Sequence, residues 1–259
     1  MSKVYLCYGD VHASPFHNNS RAHLLAGLIN DLRPDVVVNI GDGADMASLS
    51  TYEKGTAHFY GRFYKEDVES FLDFEDKVWS PVRRMKKKMP DRYYFVGNHD
   101  YRIERALARQ PELVGAISMK DLQLESFYNE VIPYNGYGTP GEKTLDGVLF
   151  SHYVVGGVSG RALSSLHQGY QLLQKKHQSV IVGHQHIFDY NVQSVEQGTK
   201  RIHGMCLPCF TEGEHEWAGT VVNLWDRGVC ILRGVENGDY DLEYVSLRRL
   251  REIYGDYGD

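Results

Sequence analysis

The sequence predicts an α/β fold, on three observations. Up to Val182, short runs rich in Val, Ile, Leu and aromatic residues alternate with stretches of helical periodicity. Each such run is followed by a loop of polar residues, in most cases with a leading glycine. Beyond Phe188 the apolar residues alternate singly and are punctuated by turn signals, which is the pattern of an antiparallel meander.

Taken in order, the first buried strand is read at Lys3 to Tyr8. A helix over Asn18 to Leu32 follows, because Leu24, Leu25, Leu28, Ile29 and Leu32 recur at mostly three- and four-residue spacing and Asn18, Asn19 or Ser20 can cap it. The second strand is Asp35 to Ile40. Residues 46–90 exceed what a crossover requires and carry Tyr52, His58, Phe59, Tyr60, Arg62, Phe63 and Tyr64, so they are expected to form a helical insertion or a cap over the site. Within them a helix spans Tyr64 to Met89, interrupted near Pro81. The third strand is Tyr93 to Val96, the fourth Gly147 to Phe150 and the fifth Ser179 to Val182, with a helix over Arg161 to Lys176 between the last two. From Phe188 to Leu247, turns at Gln197-Gly198, Asp226-Arg227-Gly228 and Asn237-Gly238-Asp239 join strands expected to complete a second sheet. The tail, Tyr254 to Asp259, is expected to fray. One domain over residues 1–259 is the simplest organisation.

The 259 residues include 42% hydrophobic side chains, ample for a core, and a formal net charge of -6, which argues against a surface built throughout to hold nucleic acid. Four cysteines are too few and too scattered for a disulfide-stapled scaffold. No apolar run has the length of a membrane span and the amino terminus lacks the apolar core of a signal peptide, so a cytoplasmic protein without membrane partners is expected. Twelve histidines are more than such a domain needs for its structure.

Those histidines gather at strand ends. The five strands are followed by Gly9-Asp10-Val11-His12, Gly41-Asp42-Gly43-Ala44-Asp45, Gly97-Asn98-His99-Asp100, Ser151-His152-Tyr153 and Gly183-His184-Gln185-His186. Loops at the carboxyl ends of parallel strands lie along one edge of a sheet, where ligands bind. Carboxylate, imidazole and amide donors suit divalent metals of intermediate hardness, and about seven of them exceed what one ion uses. Two ions sharing a bridging carboxylate would employ the whole set. The strand-end glycines are expected to let the backbone turn sharply.

Asp-x-His, Gly-Asp, Gly-Asn-His-Asp, a lone His and Gly-His-x-His, in this order, closely resemble the motifs of the calcineurin-like metallophosphoesterase superfamily. The resemblance, over roughly residues 3–235, implies an α/β four-layer αββα sandwich of two mixed β-sheets flanked by helices. It further implies that Asp10, His12 and His186 hold one metal, that Asn98, His152 and His184 hold the other, and that Asp42 bridges them. His99 would stabilise the phosphorane or protonate the leaving oxygen, with Asp100 orienting its ring, while hydroxide held between the ions attacks phosphorus. The two divalent ions are expected to be Mn first, with Fe, Ni, Co and Zn as alternatives.

The expected activity is a phosphodiesterase acting on a nucleotide or nucleic acid. A phosphomonoesterase is the alternative, and a non-catalytic metal-binding scaffold is the alternative of another class. Asp45 is read as a carboxylate supporting the ligands or as a helix cap. Arg161, ending Gly156 to Arg161, is read as an anion clamp or as part of a plain loop. The basic run Arg83 to Lys88 reads as a solvated face first and a phosphate contact second. His203, Cys206, Cys209 and His215 have a weak zinc-like spacing, with a reduced cysteine pair as the default.

Overall fold

A computed structural model describes residues 2–51, 54–157, 160–213 and 216–255. Tyr52, the side chain of His58, Val158, Ser159, His215 and residues 256–259, all singled out above, lie outside the described residues. The chain runs β1 (Lys3–Tyr8), α1 (Arg21–Leu32), β2 (Val36–Asn39), α2 (Tyr64–Arg84), β3 (Asp91–Phe95), α3 (Arg102–Arg109), α4 (Leu124–Phe127), β4 (Glu130–Ile132), β5 (Glu142–Leu145), β6 (Val148–Ser151), α5 (Gln168–Lys176), β7 (Val180–Val182), β8 (Asp189–Val195), β9 (Lys200–Cys206), β10 (Gly228–Glu236), β11 (Asp239–Ser246) and α6 (Leu247–Tyr254).

Two mixed sheets face each other. One has the order β11-β10-β1-β2-β3-β4 and the other β5-β6-β7-β9-β8. Strand periodicity explains the layers. Tyr5 and Cys7 of β1 point to a core shared with Phe150, Ile181 and Met205 of the second sheet, whereas Leu6 and Tyr8 point outward to a core shared with Leu25, Phe71 and Phe74 of α1 and α2. On the far side, Leu149, Val180, Val182 and Cys206 bury against Leu172 of α5. The result is helix, sheet, sheet, helix.

The five strands read from the sequence are present with ends moved by two residues at most. Other details differ. Helix α2 is continuous through Pro81 to Arg84, because the proline costs one bond near the helix end while Val78, Trp79 and Val82 around it are buried. The helix expected from Arg161 starts only at Gln168, since Gly156 N donates to Arg161 O and Leu163 N to Val154 O, pairing 154–156 with 161–163 in a hairpin-like pattern. The meander is divided: β8 and β9 extend the second sheet, but β10 pairs with β1 and joins β11 to the first. The basic run at 83–88 is exposed and precedes β3, whereas the motif loop follows β3. Five strand residues, about 16 Å, separate them, which takes the run away from the site.

Candidate metal centre

Five loops form the site. Those after β1, β2 and β3 come from the first sheet and those after β6 and β7 from the second. They are sewn together by their own main chain: Asp10 N donates to Gly41 O (2.8 Å), His12 N to Asp42 O (2.9 Å) and Gly183 N to His152 O (2.9 Å). The left-handed backbone that a tight turn needs falls on the functional residues themselves. Asp10, His12, Asp42, His184 and His186 have φ of 49°, 47°, 51°, 71° and 61°, a region that costs free energy for any residue with a Cβ. Among the leading glycines Gly41 shares it, with φ of 103°, while Gly97 and Gly183 serve another purpose. A Cβ at Gly97 would collide with the Asp42 carboxylate, and one at Gly183 with that of Asp10.

The side chains meet in two outer groups joined by a third, His12, Asp42 and His99, whose ligand atoms also lie within 4.8 Å of one another. Asp10, His12 and His186 place ligand atoms within 4.8 Å of one another, and so do Asp42, His152 and His184. His12 Nε2 faces His186 Nε2 at 3.2 Å, and His186 Nε2 lies 3.2 Å from Asp10 Oδ1. In the second group His152 Nε2 is 3.2 Å from Asp42 Oδ2 and 3.0 Å from Asn98 Oδ1. Asp42 Oδ2 also lies 3.9 Å from His12 Nε2, so this carboxylate sits between the groups. Burial and the nearby His99 bring His12 down to about 4, and burial and His152 bring His184 down to about 3. Both rings are therefore neutral near pH 7, with lone pairs to offer. Burial alone would raise the carboxyls of Asp10 and Asp42, but His186 beside the first and His152 beside the second hold both below the usual range. Against the effect of burial, Asp42 raises His152 to about 9, so a cation bound there would take the place of that ring's proton; with the neutral His12 and His184 and the buried carboxylates, the donors are a set that divalent cations satisfy.

Residues 4–204 match the family model for calcineurin-like phosphoesterases. The chain belongs to that family. Its similarity to the Gene 54 protein of Mycobacterium phage L5 is 28% identity over 191 residues, covering 72% of this chain and 70% of the relative. The Gene 54 protein of Mycobacterium phage D29 is 27% identical over the same length and shares. A dimetal phosphatase from Danio rerio superposes with a TM-score of 0.47 at 11% identity, covering 94% of this chain and 96% of that one.

In this calcineurin-like phosphoesterase, Asp45 rather than Asp100 orients His99. Asp45 Oδ1 lies 2.9 Å from His99 Nδ1 and 3.1 Å from His12 Nδ1, so one carboxylate fixes two rings. Both histidines outweigh the effect of burial and keep Asp45 well below the usual carboxylate range. Asp100 turns the other way. It accepts from the main-chain N–H groups of Asp42, Ala44 and Gly97 and from the Tyr94 hydroxyl, binding the β2 and β3 loops together. Burial and the neighbouring Asp42 push it up to about 6.

Arg102, which the sequence reading did not single out, donates from Nη1 to the Asp45 and Met46 carbonyls and places Nη2 3.3 Å from His99 Nε2. Its signal was its position three residues after His99, at the start of α3. Asp42, His99, His184 and His186 line a cavity of about 330 Å³ together with Ala218, Val221 and Trp225, whose ring packs edge-on at 4.2 Å from that of His186. Exposed Arg161 is not part of that lining. His203 is engaged by Asp239 and Tyr190, and the Cys206 and Cys209 thiols donate to the carbonyls of Gly183 and Asp226, so these three do not converge on a common ion.

Proposed function

We propose that the protein is a phosphodiesterase dependent on two divalent ions and acting on a nucleotide or nucleic acid. The observation that carries this reading is the pair of ligand groups on either side of Asp42, open to one cavity into which His99 also projects. Asp10, His12 and His186 would hold one ion, Asn98, His152 and His184 the other, and Asp42 both. Ions bound there supply Lewis acidity and lower the pKa of water from about 15.7 towards 7.

The chain's own groups do the rest. Asp45 holds His12 and His99 in position from behind, leaving their Nε2 atoms directed forward. With Nδ1–H given to Asp45, His99 Nε2 accepts from Arg102, and a phosphoryl oxygen arriving there shares this cationic edge as negative charge builds on it. The preference for diesters rests on the cavity wall. Ala218, Val221 and Trp225 offer apolar surface to the second organic arm that a diester has and a monoester lacks.

Turnover of bis-p-nitrophenyl phosphate beside p-nitrophenyl phosphate, on metal-stripped protein resupplied with Mn²⁺, tests this. Faster hydrolysis of the diester is expected, with His99→Ala slower by ~10² or more while its metal content persists. Preference for the monoester would replace the reading with that of a phosphatase. Inactivity on both, with His99→Ala indistinguishable from wild type, would favour a scaffold.

A further inference from the structure

The basic run at 83–88 does not stand alone in the folded chain, because the end of α1 lies beside the end of α2. Arg33, the left-handed residue that closes α1, borders one shallow depression together with Lys87 and Lys88, and Ile29 and Val82 line it from the two helices. Arg84 and Lys86 flank it where the chain leaves α2, Lys86 itself left-handed with φ of 52°. All five cations are exposed, and among the described residues none of their side chains makes a hydrogen bond or an ion pair. Three carboxylates lie within three residues of them in the chain and face other groups. Asp31 accepts from the Tyr254 hydroxyl, Asp35 accepts from Val4 N–H, and Asp91 joins Asp146 in raising the Lys3 ammonium, with Asp146 the stronger. The two helix ends carry roughly one negative charge between them, which offsets one cation of the five.

The position of this patch matters as much as its charge. It sits at the opposite end of the first sheet from the metal loops. From Arg33 the chain enters β2 and emerges at Asp42; from Lys88 it enters β3 and emerges at Asn98. The length of β3 alone is about 16 Å, so these side chains are out of reach of a phosphate at the metals. Phosphates recur about every 3.4 Å along one strand of a duplex, which puts those that the patch can meet about five positions from the reacting one. In a chain of net charge -6, like charges gathered this closely repel one another, and a polyanion that displaces their counterions relieves the repulsion.

We propose that this patch is a docking surface for the sugar-phosphate backbone of a nucleic acid strand whose reacting bond lies at the metal centre. The inference rests on the phosphodiesterase reading and, between a nucleotide and a nucleic acid, selects the polymer. The depression between the helix ends, about 20 Å³, encloses no nucleotide, whereas a backbone needs no enclosing pocket. Lysines, which make up three of the five cations, meet phosphates as point charges without fixing their orientation. An anionic membrane offers charge as well, but attachment to one also draws on inserted apolar surface. Met85 is the single large hydrophobic side chain exposed in residues 82–90.

The test measures binding of a fluorescein-labelled twenty-residue oligothymidylate to His99→Ala protein loaded with Mn²⁺, by anisotropy between about 50 and 200 mM salt. Adding Lys86→Ala, Lys87→Ala and Lys88→Ala together is expected to weaken binding by about tenfold or more at the lower salt. The slope of log affinity against log salt should also become shallower by about two, since each contact to a single strand contributes about 0.7. Lys143→Ala, Lys175→Ala and Lys200→Ala together remove the same charge from the side of the second sheet and are expected to keep the parent slope. With His99 intact, kcat/KM for the twenty-residue strand is expected to exceed that for trithymidylate, and the patch variant should lower this ratio towards one with its turnover of bis-p-nitrophenyl phosphate unchanged. Equal affinity and slope in the two triple variants overturn the proposal. Binding to phosphatidylserine vesicles and not to the oligothymidylate overturns it in favour of a membrane. Bis-p-nitrophenyl phosphate separates the two failures. If it is hydrolysed while strand binding ignores the patch, the docking surface alone falls; if strand binding needs the patch while no diester is hydrolysed, the docking surface is supported and the phosphodiesterase reading falls.

Discussion

Asp45 fixes two rings with one oxygen, and that sharing makes it the most informative single residue outside the ligands. Asp45→Asn preserves shape but removes the charge, so metal affinity is expected to fall by about 10- to 100-fold, together with turnover. Equilibrium metal titration checks the first and steady-state kinetics at saturating metal the second. Asp42→Ala is expected to lose both ions in elemental analysis, because its carboxylate stands between the two groups. Gly97→Ala should lose them as well, since the added methyl displaces that same carboxylate. The convergence of these side chains was legible because motif order and spacing survive translation into space. The tasks of Asp45 and Asp100 were not, because adjacency in the chain suggested that Asp100 serves His99, whereas the turn after β3 points it back at the β2 loop. Arg102 looked like an ordinary helix arginine, and nothing in its one-dimensional neighbourhood reveals that its guanidinium reaches His99.

Among the elements, α2 carries a buried acid in its apolar face. Glu75 is fully buried, receives the Trp79 indole N–H and the Tyr128 hydroxyl, and is pushed by burial up to about 8. Between about 4.5 and 8 the unfolded chain has lost this proton while the folded one keeps it, so the group's contribution to stability falls as pH rises across that window. Glu75→Gln removes the dependence. Its stability relative to wild type is expected to improve from pH 5 to pH 8 by roughly 3 kcal/mol, measured by urea denaturation at both values. Periodicity revealed α2 because one face is buried over its length, yet it misjudged Pro81, since tertiary burial outweighs one missing hydrogen bond. It also extended α5 upstream, because the polar stretch before Gln168 has no pattern to contradict a helix and its hairpin-like bonds are made between main-chain atoms. Short α3 and the three-residue β4 were too brief to show a period at all.

At the scale of the molecule, the proposed ligands come from both sheets: Asp10 and Asp42 from the first, His152, His184 and His186 from the second. Bound ions therefore tie the two halves of the sandwich. Chelation is expected to lower the midpoint of thermal unfolding by several degrees, since a ligand at a hundred times its dissociation constant adds about 2.7 kcal/mol. Differential scanning calorimetry with and without chelator measures it. The α/β class could be read from the alternation of elements, but the division of the last strands between two sheets could not, because hairpin signals say which strands are neighbours and not which sheet they join. The left-handed ligand residues have a consequence for descent. In a lineage released from the need for this chemistry, mutations to glycine at Asp10 or Asp42 would relieve backbone strain and buried charge together. Decay of function would then be favoured by the fold itself, so a retained full set of these residues marks selection that is still acting.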